Sequence, residues 1–120
     1  MTAWRRTAWA GLVLALAAPP ALADGPARIE VELKDHVFTP STIEVPAGQR
    51  VEILVRNRDG TAEEFDSTAL KVEKVIAGGD EGVVRLHPLD PGEYPFIGEY
   101  HSDTAKGVVV AKWGPPCSHR

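Results

Sequence analysis

Residues 42–57, TIEVPAGQRVEILVRN, decide the fold of this chain. The segment Thr42 to Val45 is a short β-branched run, and Pro46-Ala47-Gly48 closes it with residues that favour turns. The segment from Arg50 to Asn57 then alternates apolar with charged side chains: Val51, Ile53 and Val55 against Arg50, Glu52 and Arg56. Because successive side chains of a strand point to opposite faces, this period of two predicts a strand with one buried face.

Further segments with the same features predict strands along the rest of the chain. They are the segments 27–34, 70–76, 82–86, 93–100 and 107–113. Gly or Pro interrupts the chain about every ten residues, and no segment keeps an apolar repeat at helical spacing. About seven to eight short strands in one small chain predict an all-β fold, an antiparallel Greek-key β-sandwich.

The composition limits both the architecture and the class of function. The chain has 120 residues, of which 43% are hydrophobic, enough for one compact domain. Its single Cys cannot close an internal disulfide, so the fold depends on a packed apolar core. With 17 acidic and 13 basic side chains and no block of like charge, disorder, collagen and coiled coil are excluded. The acidic balance also gives no electrostatic footprint for nucleic acid.

The first 23 residues have the pattern of a cleavable secretory signal peptide. Two arginines precede an apolar run from Thr7 to Ala18, and Ala21-Leu22-Ala23 supplies the small residues of a cleavage site. The run is too short to cross a bilayer comfortably, so the mature chain is predicted to be periplasmic and to have no transmembrane segment. The sandwich domain is predicted to span residues 24–113, and residues 114–120 to form a flexible tail.

Two predicted loops, 61–67 and 96–107, collect polar side chains of the kinds that bind metal ions. If the strands beside them end at the same pole of the sandwich, the two segments converge there. Their ionisable candidates are Glu63, Glu64, Asp66, Glu99, His101 and Asp103.

Several short segments of the chain together form a recognisable pattern. They are Phe38-Thr39-Pro40-Ser41, Val45-Pro46-Ala47-Gly48, Asn57, Glu63-Glu64-Phe65, Glu73-Lys74-Val75-Ile76, Pro88-Leu89-Asp90-Pro91-Gly92-Glu93-Tyr94 and Gly98-Glu99-Tyr100-His101. With these segments, residues 27–112 resemble a known family, the cupredoxin-like domains. More narrowly, they resemble the EfeO-type cupredoxin domains that are associated with bacterial iron-uptake permeases. The resemblance implies a β-sandwich, a metal-binding role and an inner-membrane iron permease as partner.

The same resemblance implies where a blue-copper centre would lie. In chain order, such a centre uses a His, a Cys, a second His and an axial Met. These positions fall at Glu63, at Gly98, at His101 and near Lys106, respectively. Only the imidazole is present. The sole Met is Met1 and the sole Cys is Cys117 in the tail, so the domain offers no sulfur ligand and a blue-copper centre is not expected.

The ligands that remain are carboxylates and one imidazole. The resemblance carries the metal role first to Glu64, Glu99 and His101, with Glu63 and Asp66 beside them. Sites rich in oxygen and free of thiolate suit iron, manganese and copper(II). We therefore expect a non-catalytic protein that binds or delivers an iron or copper ion.

Other interpretations stay open at this stage. Carboxylates on loops of an acidic domain are often only solvated, or paired with cations such as Arg56, Arg58 or Lys106. A copper-handling site that uses His36, His101 and a carboxylate is one alternative. A metal-free interaction module of a periplasmic assembly is another. The serines of the two segments lie in no nucleophile motif, so the sequence does not predict an enzyme.

Overall fold

The computed structural model describes residues 25–114, which form nine strands and one 3₁₀ turn, Glu99–His101. The predicted signal peptide and the predicted tail beyond Gly114 lie outside these residues. Within residues 25–114, no helix has the length and apolar character needed to span a membrane. The strands are β1 (Ala27–Lys34), β2 (Val37–Thr39), β3 (Thr42–Pro46), β4 (Val51–Asn57), β5 (Glu63–Ser67), β6 (Val72–Ile76), β7 (Glu81–Leu86), β8 (Gly92–Gly98) and β9 (Lys106–Lys112).

The strands form two sheets, in the orders β2-β1-β4-β7 and β3-β9-β8-β5-β6. The predicted β-sandwich is confirmed. Two pairings are parallel, β1 with β4 and β3 with β9, so both sheets are mixed rather than purely antiparallel. The parallel pairs arise because the chain leaves the first sheet after β2 and returns after β3, which brings β4 beside β1 in the same direction.

Two of the nine strands, β2 and β5, fall outside the segments in which the sequence predicts strands. The prediction of a loop over residues 61–67 is wrong, because Glu63–Ser67 pairs with both β6 and β8. Its inward positions hold Glu63, Phe65 and Ser67, all buried, so the usual apolar signal of a half-buried strand is interrupted. Pairing with two neighbours overrides the polar composition.

Three phenylalanines hold the strands around the end of the sandwich that carries the candidate residues. Phe38 of β2, Phe65 of β5 and Phe96 of β8 are each at most 2% exposed. The Phe65 and Phe96 rings stack with centroids 4.6 Å apart, and Phe38 meets both edge to face. Such aromatic pairs add about 0.5–1.5 kcal/mol each beyond the area that they bury. The cluster therefore provides a rigid base for the residues that follow β1, begin β5 and follow β8.

Candidate functional site

One end of the sandwich, which we call the histidine pole, brings together His36, Glu63 and His101. His36 follows β1, Glu63 begins β5, and His101 ends the 3₁₀ turn after β8. Glu64 and Asp66 alternate with Glu63 along β5 and lie on the outer face of the sheet. The period of two along β5 thus separates Glu63, which faces inward and forms an inner pair with His101, from an outer group, Glu64 and Asp66.

Glu63 is the central residue of the inner pair. Its side chain is only 1% exposed, and its Oε2 lies 2.7 Å from Nδ1 of His101. Its Oε1 accepts hydrogen bonds from the backbone N–H groups of Tyr100, at 2.8 Å, and Glu64, at 3.1 Å. A buried carboxylate is costly unless such donors surround it. With the carboxylate as acceptor, Nδ1 carries the hydrogen, and in the neutral imidazole Nε2 is then the ring nitrogen with a free lone pair.

His36 covers the other side of the pair. Its ring stacks on His101 with centroids 3.6 Å apart and an interplanar angle of 10°. Side-chain exposure is 41% for His36 and 27% for His101, so the pair lies at the surface while Glu63 lies beneath it. Because the lone pairs of an imidazole lie in its ring plane and these two planes are nearly parallel, the two rings do not converge on one ion in this arrangement. Across residues 25–114, no three His, Cys, Asp or Glu side chains are placed to hold a metal ion together.

The carboxylate of Asp59 holds the turn that carries His36. It accepts the backbone N–H groups of Asp35, at 2.7 Å, and His36, at 2.9 Å. Burial alone would raise the pKa of Asp59, but these two backbone donors, together with the nearby side chains of His36 and Lys34, lower the pKa below its ordinary value. Asp59 is itself positioned by Asn57, whose side-chain oxygen accepts its backbone N–H at 3.0 Å. The loop after β4 therefore fixes the turn after β1.

A shallow cavity of about 400 Å³ opens beside the two imidazoles. A larger cavity, of about 590 Å³, lies beyond the far end of β7, where Arg50, Arg85 and His87 line it. The cavity at the histidine pole is lined by His36, Glu99, Tyr100, His101, Ser102, Asp103 and Thr104. Glu99 and Asp103 thus line the same opening as His101.

The outer group, Glu64 and Asp66, lies on the outer face of the second sheet. Burial raises the pKa of Glu64 above its ordinary value, and repulsion from Glu73, Asp66, Glu99 and Glu63 raises it further. The alternative pairing with Arg56 or Arg58 is not what the structure shows. Arg56 bonds Glu30 and Glu81, and Arg58 bonds Glu32, all on the first sheet.

Comparison with known proteins places the chain in a family. The model of a family described as Cupredoxin-like domain matches residues 7–111. The chain belongs to this cupredoxin-like family. An uncharacterized protein of Rickettsia prowazekii (strain Madrid E) is 36% identical over 83 residues, which are 69% of this chain and 66% of the relative. The chain therefore matches just under two thirds of the length of that protein.

Several solved structures share the cupredoxin-like fold at low sequence identity. The metal-binding domain of the Cu(I)-exporting P-type ATPase CopA of Streptococcus pneumoniae D39 is 19% identical with a TM-score of 0.64, covering 77% of this chain and 91% of that one. An apo copper-binding protein solved by NMR is 20% identical with a TM-score of 0.66, covering 77% and 93%. Auracyanin A, a blue copper protein of Chloroflexus aurantiacus, is 18% identical with a TM-score of 0.60, covering 73% and 100%. At these identities the likeness establishes the fold alone.

The residues of this cupredoxin-like protein do not fit a blue-copper ion. Of the four positions implied by the family resemblance, Gly98 and Lys106 bring no sulfur, and Glu63 stands in place of an imidazole. A Cβ atom added at Gly98 would lie 2.7 Å from Cδ and 2.8 Å from Oε2 of Glu63. The carboxylate thus occupies the space into which a cysteine at residue 98 would extend.

The residues that hold His36, Asp59 and Thr104, are not among the candidates that the sequence suggests. Asp59 and Thr104 contact the backbone of His36 across 23 and 68 residues of sequence, respectively. No local pattern encodes contacts over such separations. Asp35-His36 directly follows the predicted strand 27–34, but the sequence did not indicate β2, which makes these two residues a tight turn.

Proposed function

We propose that this protein is an exported, non-catalytic member of the cupredoxin-like family that binds one copper or iron ion at the histidine pole. His101 supplies a nitrogen ligand through Nε2, and Glu99 and Asp103, which line the same cavity, supply oxygen ligands once their side chains turn toward it, since the three groups are not assembled within residues 25–114. Glu64 and Asp66 are left out of the ligand set because they lie on the outer face of the sheet.

The observation that carries the proposal is the contact of Glu63 with Nδ1 of His101 at 2.7 Å. Histidines that bind metals usually donate the other ring N–H to a carboxylate or carbonyl, which fixes the tautomer and makes the ligating nitrogen more basic. A carboxylate that is 1% exposed and accepts from three N–H groups is such an orienting partner.

Ligand chemistry and resemblance support copper and iron. Imidazole nitrogen binds copper and iron well, and carboxylate oxygen favours the harder of these ions. The names of similar structures, including a Cu(I)-exporting ATPase domain and a copper-binding protein, support copper. The likeness to EfeO-type domains supports iron. The site has no sulfur ligand, so the complex with copper(II) is expected to be weakly coloured rather than blue.

Titration with copper(II) and with iron, followed by calorimetry and electron paramagnetic resonance, tests this proposal. A Cys117→Ser/His119→Ala background removes the potential ligands of the tail. In this background we expect one ion per chain. His101→Gln keeps an amide donor for Glu63 and removes the imidazole, so binding should be lost. Glu63→Gln should weaken binding about 10–100-fold, as is typical when the partner of a ligand is changed.

The matched control is His87→Ala, because His87 is an exposed histidine beyond the far end of β7. It should bind metal as the parent does. Thermal melts and circular dichroism confirm that each variant is folded. Binding by His101→Gln that equals the parent's, or loss of binding in His87→Ala alone, would contradict the proposal.

The finer assignments of periplasmic location and an inner-membrane iron permease as partner rest on the N-terminal pattern and on the EfeO-type resemblance. A crosslinking residue at Tyr100, which is 51% exposed beside the cavity, should capture the permease in intact cells. A matched residue at Val75, on the outer face of β6 and 53% exposed, should not. Unchanged iron uptake after deletion of the gene would count against this partner.

A metal-free interaction module is the second candidate. It is favoured because, within residues 25–114, no group of three ligands is assembled and Glu63 fills the interior beside Gly98. A Glu99→Ala/His101→Ala/Asp103→Ala variant, which removes the three proposed ligands, separates the candidates. Complementation of a deletion strain by this variant as well as by the wild type would support the module, whereas failure with a folded variant supports metal binding.

A further inference from the structure

The two-residue turn between β1 and β2 has an unusual backbone. Lys34 pairs with Val37 across the hairpin, so Asp35 and His36 alone form the turn. Both lie in the left-handed region, with φ of 53° and 60°. Such turns usually hold Asn-Gly or Asp-Gly, because glycine adopts positive φ without steric cost. Asp and His tolerate this region better than most residues, yet both carry a Cβ that glycine would avoid.

Contacts from distant segments keep the turn in this conformation. Asp59 accepts both backbone N–H groups of the turn, and Thr104 donates its hydroxyl to the carbonyl oxygen of His36 at 2.7 Å. Strained residues persist only where the surroundings over-determine them, and they are concentrated at functional sites. The turn therefore calls for an explanation beyond the joining of two strands.

The position of the His36 ring supplies that explanation. The ring lies parallel to His101 at 3.6 Å, while Glu63 fixes Nδ1 of His101 from the interior. Held by both, the His101 ring keeps one plane and one orientation, with its free edge toward the cavity. Since the rings are stacked, His36 acts on the orientation of His101 and does not share an ion with it.

We propose that His36 is a positioning residue, and that the strained β1–β2 turn holds its imidazole in the stacked position against His101. This inference rests on the proposed function, because it assigns His101 as the ligand that is oriented. It predicts that the identity of residue 36 matters for metal affinity and not for the stability of the fold.

Three variants test the inference in the Cys117→Ser/His119→Ala background, with copper(II) as the probe. Asp35→Gly relieves strain in the same turn and keeps the ring, so Tm should rise and copper affinity should stay unchanged. His36→Gly relieves strain and removes the ring, so Tm should stay at or above that of the parent while affinity falls about 10–100-fold. His36→Phe restores a ring without a nitrogen and should restore most of the affinity.

A second readout is the set of imidazole ¹⁵N chemical shifts of His101 in metal-free protein. They should change in His36→Gly and stay as in the parent in Asp35→Gly. If His36→Phe binds copper as weakly as His36→Gly, His36 is a ligand and the inference is overturned. A fall of Tm in His36→Gly, with unchanged His101 shifts, would overturn it as well. If the parent takes up neither copper nor iron, the proposed function fails, while the His101 shifts still decide the positioning role.

Discussion

Glu63 and Gly98 share one small volume at the histidine pole. The carboxylate lies under His101 with three N–H groups around it, and the missing side chain of Gly98 leaves room for it. Ala105 closes the same space, since its Cβ would lie 2.7 Å from a Cβ at residue 98. The site therefore depends on an absent atom as much as on the groups that are present.

The substitution Gly98→Ala should destabilise the fold by about 1–3 kcal/mol, because it overpacks a volume that Glu63 and Ala105 already fill. Urea denaturation of the variant and the parent measures the change in the free energy of unfolding. Gly60→Ala is the matched control, since a Cβ there meets no atom within 4 Å. Equal effects of the two substitutions would show that backbone entropy, and not packing, decides the result.

At the scale of strands and loops, hydropathy patterns located most of the sandwich and missed β2 and β5. The alternation in β4 was sufficient because Val51, Ile53 and Val55 are all buried, as predicted. In β5 the buried positions carry Glu63 and Ser67, whose burial depends on partners elsewhere in the chain: His101 for Glu63, and the carbonyl oxygen of Pro95 for Ser67. Patterning therefore predicts elements whose burial is apolar. It does not predict those whose buried groups are satisfied by distant residues.

Asp59, which links the loop after β4 to the β1–β2 turn, makes the stability of the fold depend on pH. Burial would raise its pKa, but the backbone donors of the β1–β2 turn, together with the nearby side chains of His36 and Lys34, lower it in the folded chain. Asp59 therefore stabilises the fold above about pH 4, the ordinary range of an aspartate, and this contribution is lost as pH falls through the lower folded pKa. Asp59→Asn should lose stability at pH 7 and approach the parent near pH 2. Denaturation curves across this range measure the gap, and a gap independent of pH would contradict the assignment.

Within residues 25–114, the first sheet carries arginine–acid pairs, whereas carboxylates gather around Glu64 on the second sheet. Arginines on the first sheet are matched with acids, as in Arg56 between Glu30 and Glu81, and Arg28 with Glu52. Exposed pairs of this kind contribute little individually. Because these arginines are engaged there, they do not neutralise the acids near Glu64 on the second sheet.

The repulsion around Glu64 leads to a second pH-dependent prediction. Burial first, and the neighbouring carboxylates second, raise the pKa of Glu64, so its ionised form is less favourable in the folded chain than in the unfolded chain. Ionised Glu64 thus lowers stability at neutral pH and has no such effect at pH values below the ordinary range of a glutamate. Glu64→Gln should raise Tm at pH 7 and leave it unchanged at pH 3. Glu93→Gln, at the exposed start of β8, controls for net charge, and an equal rise there would contradict the prediction.

The close fit of Glu63 against Gly98 also has an evolutionary consequence. The Cβ atom of a cysteine at residue 98 would lie under 3 Å from the carboxylate of Glu63. Loss of Glu63 alone would leave the backbone N–H groups of Glu64 and Tyr100 without their acceptor. Either single change is unfavourable while the other position keeps its present residue. The two sites therefore form an epistatic pair, and a mutational path from this sequence to a sulfur-ligated centre passes through intermediates less stable than the starting protein.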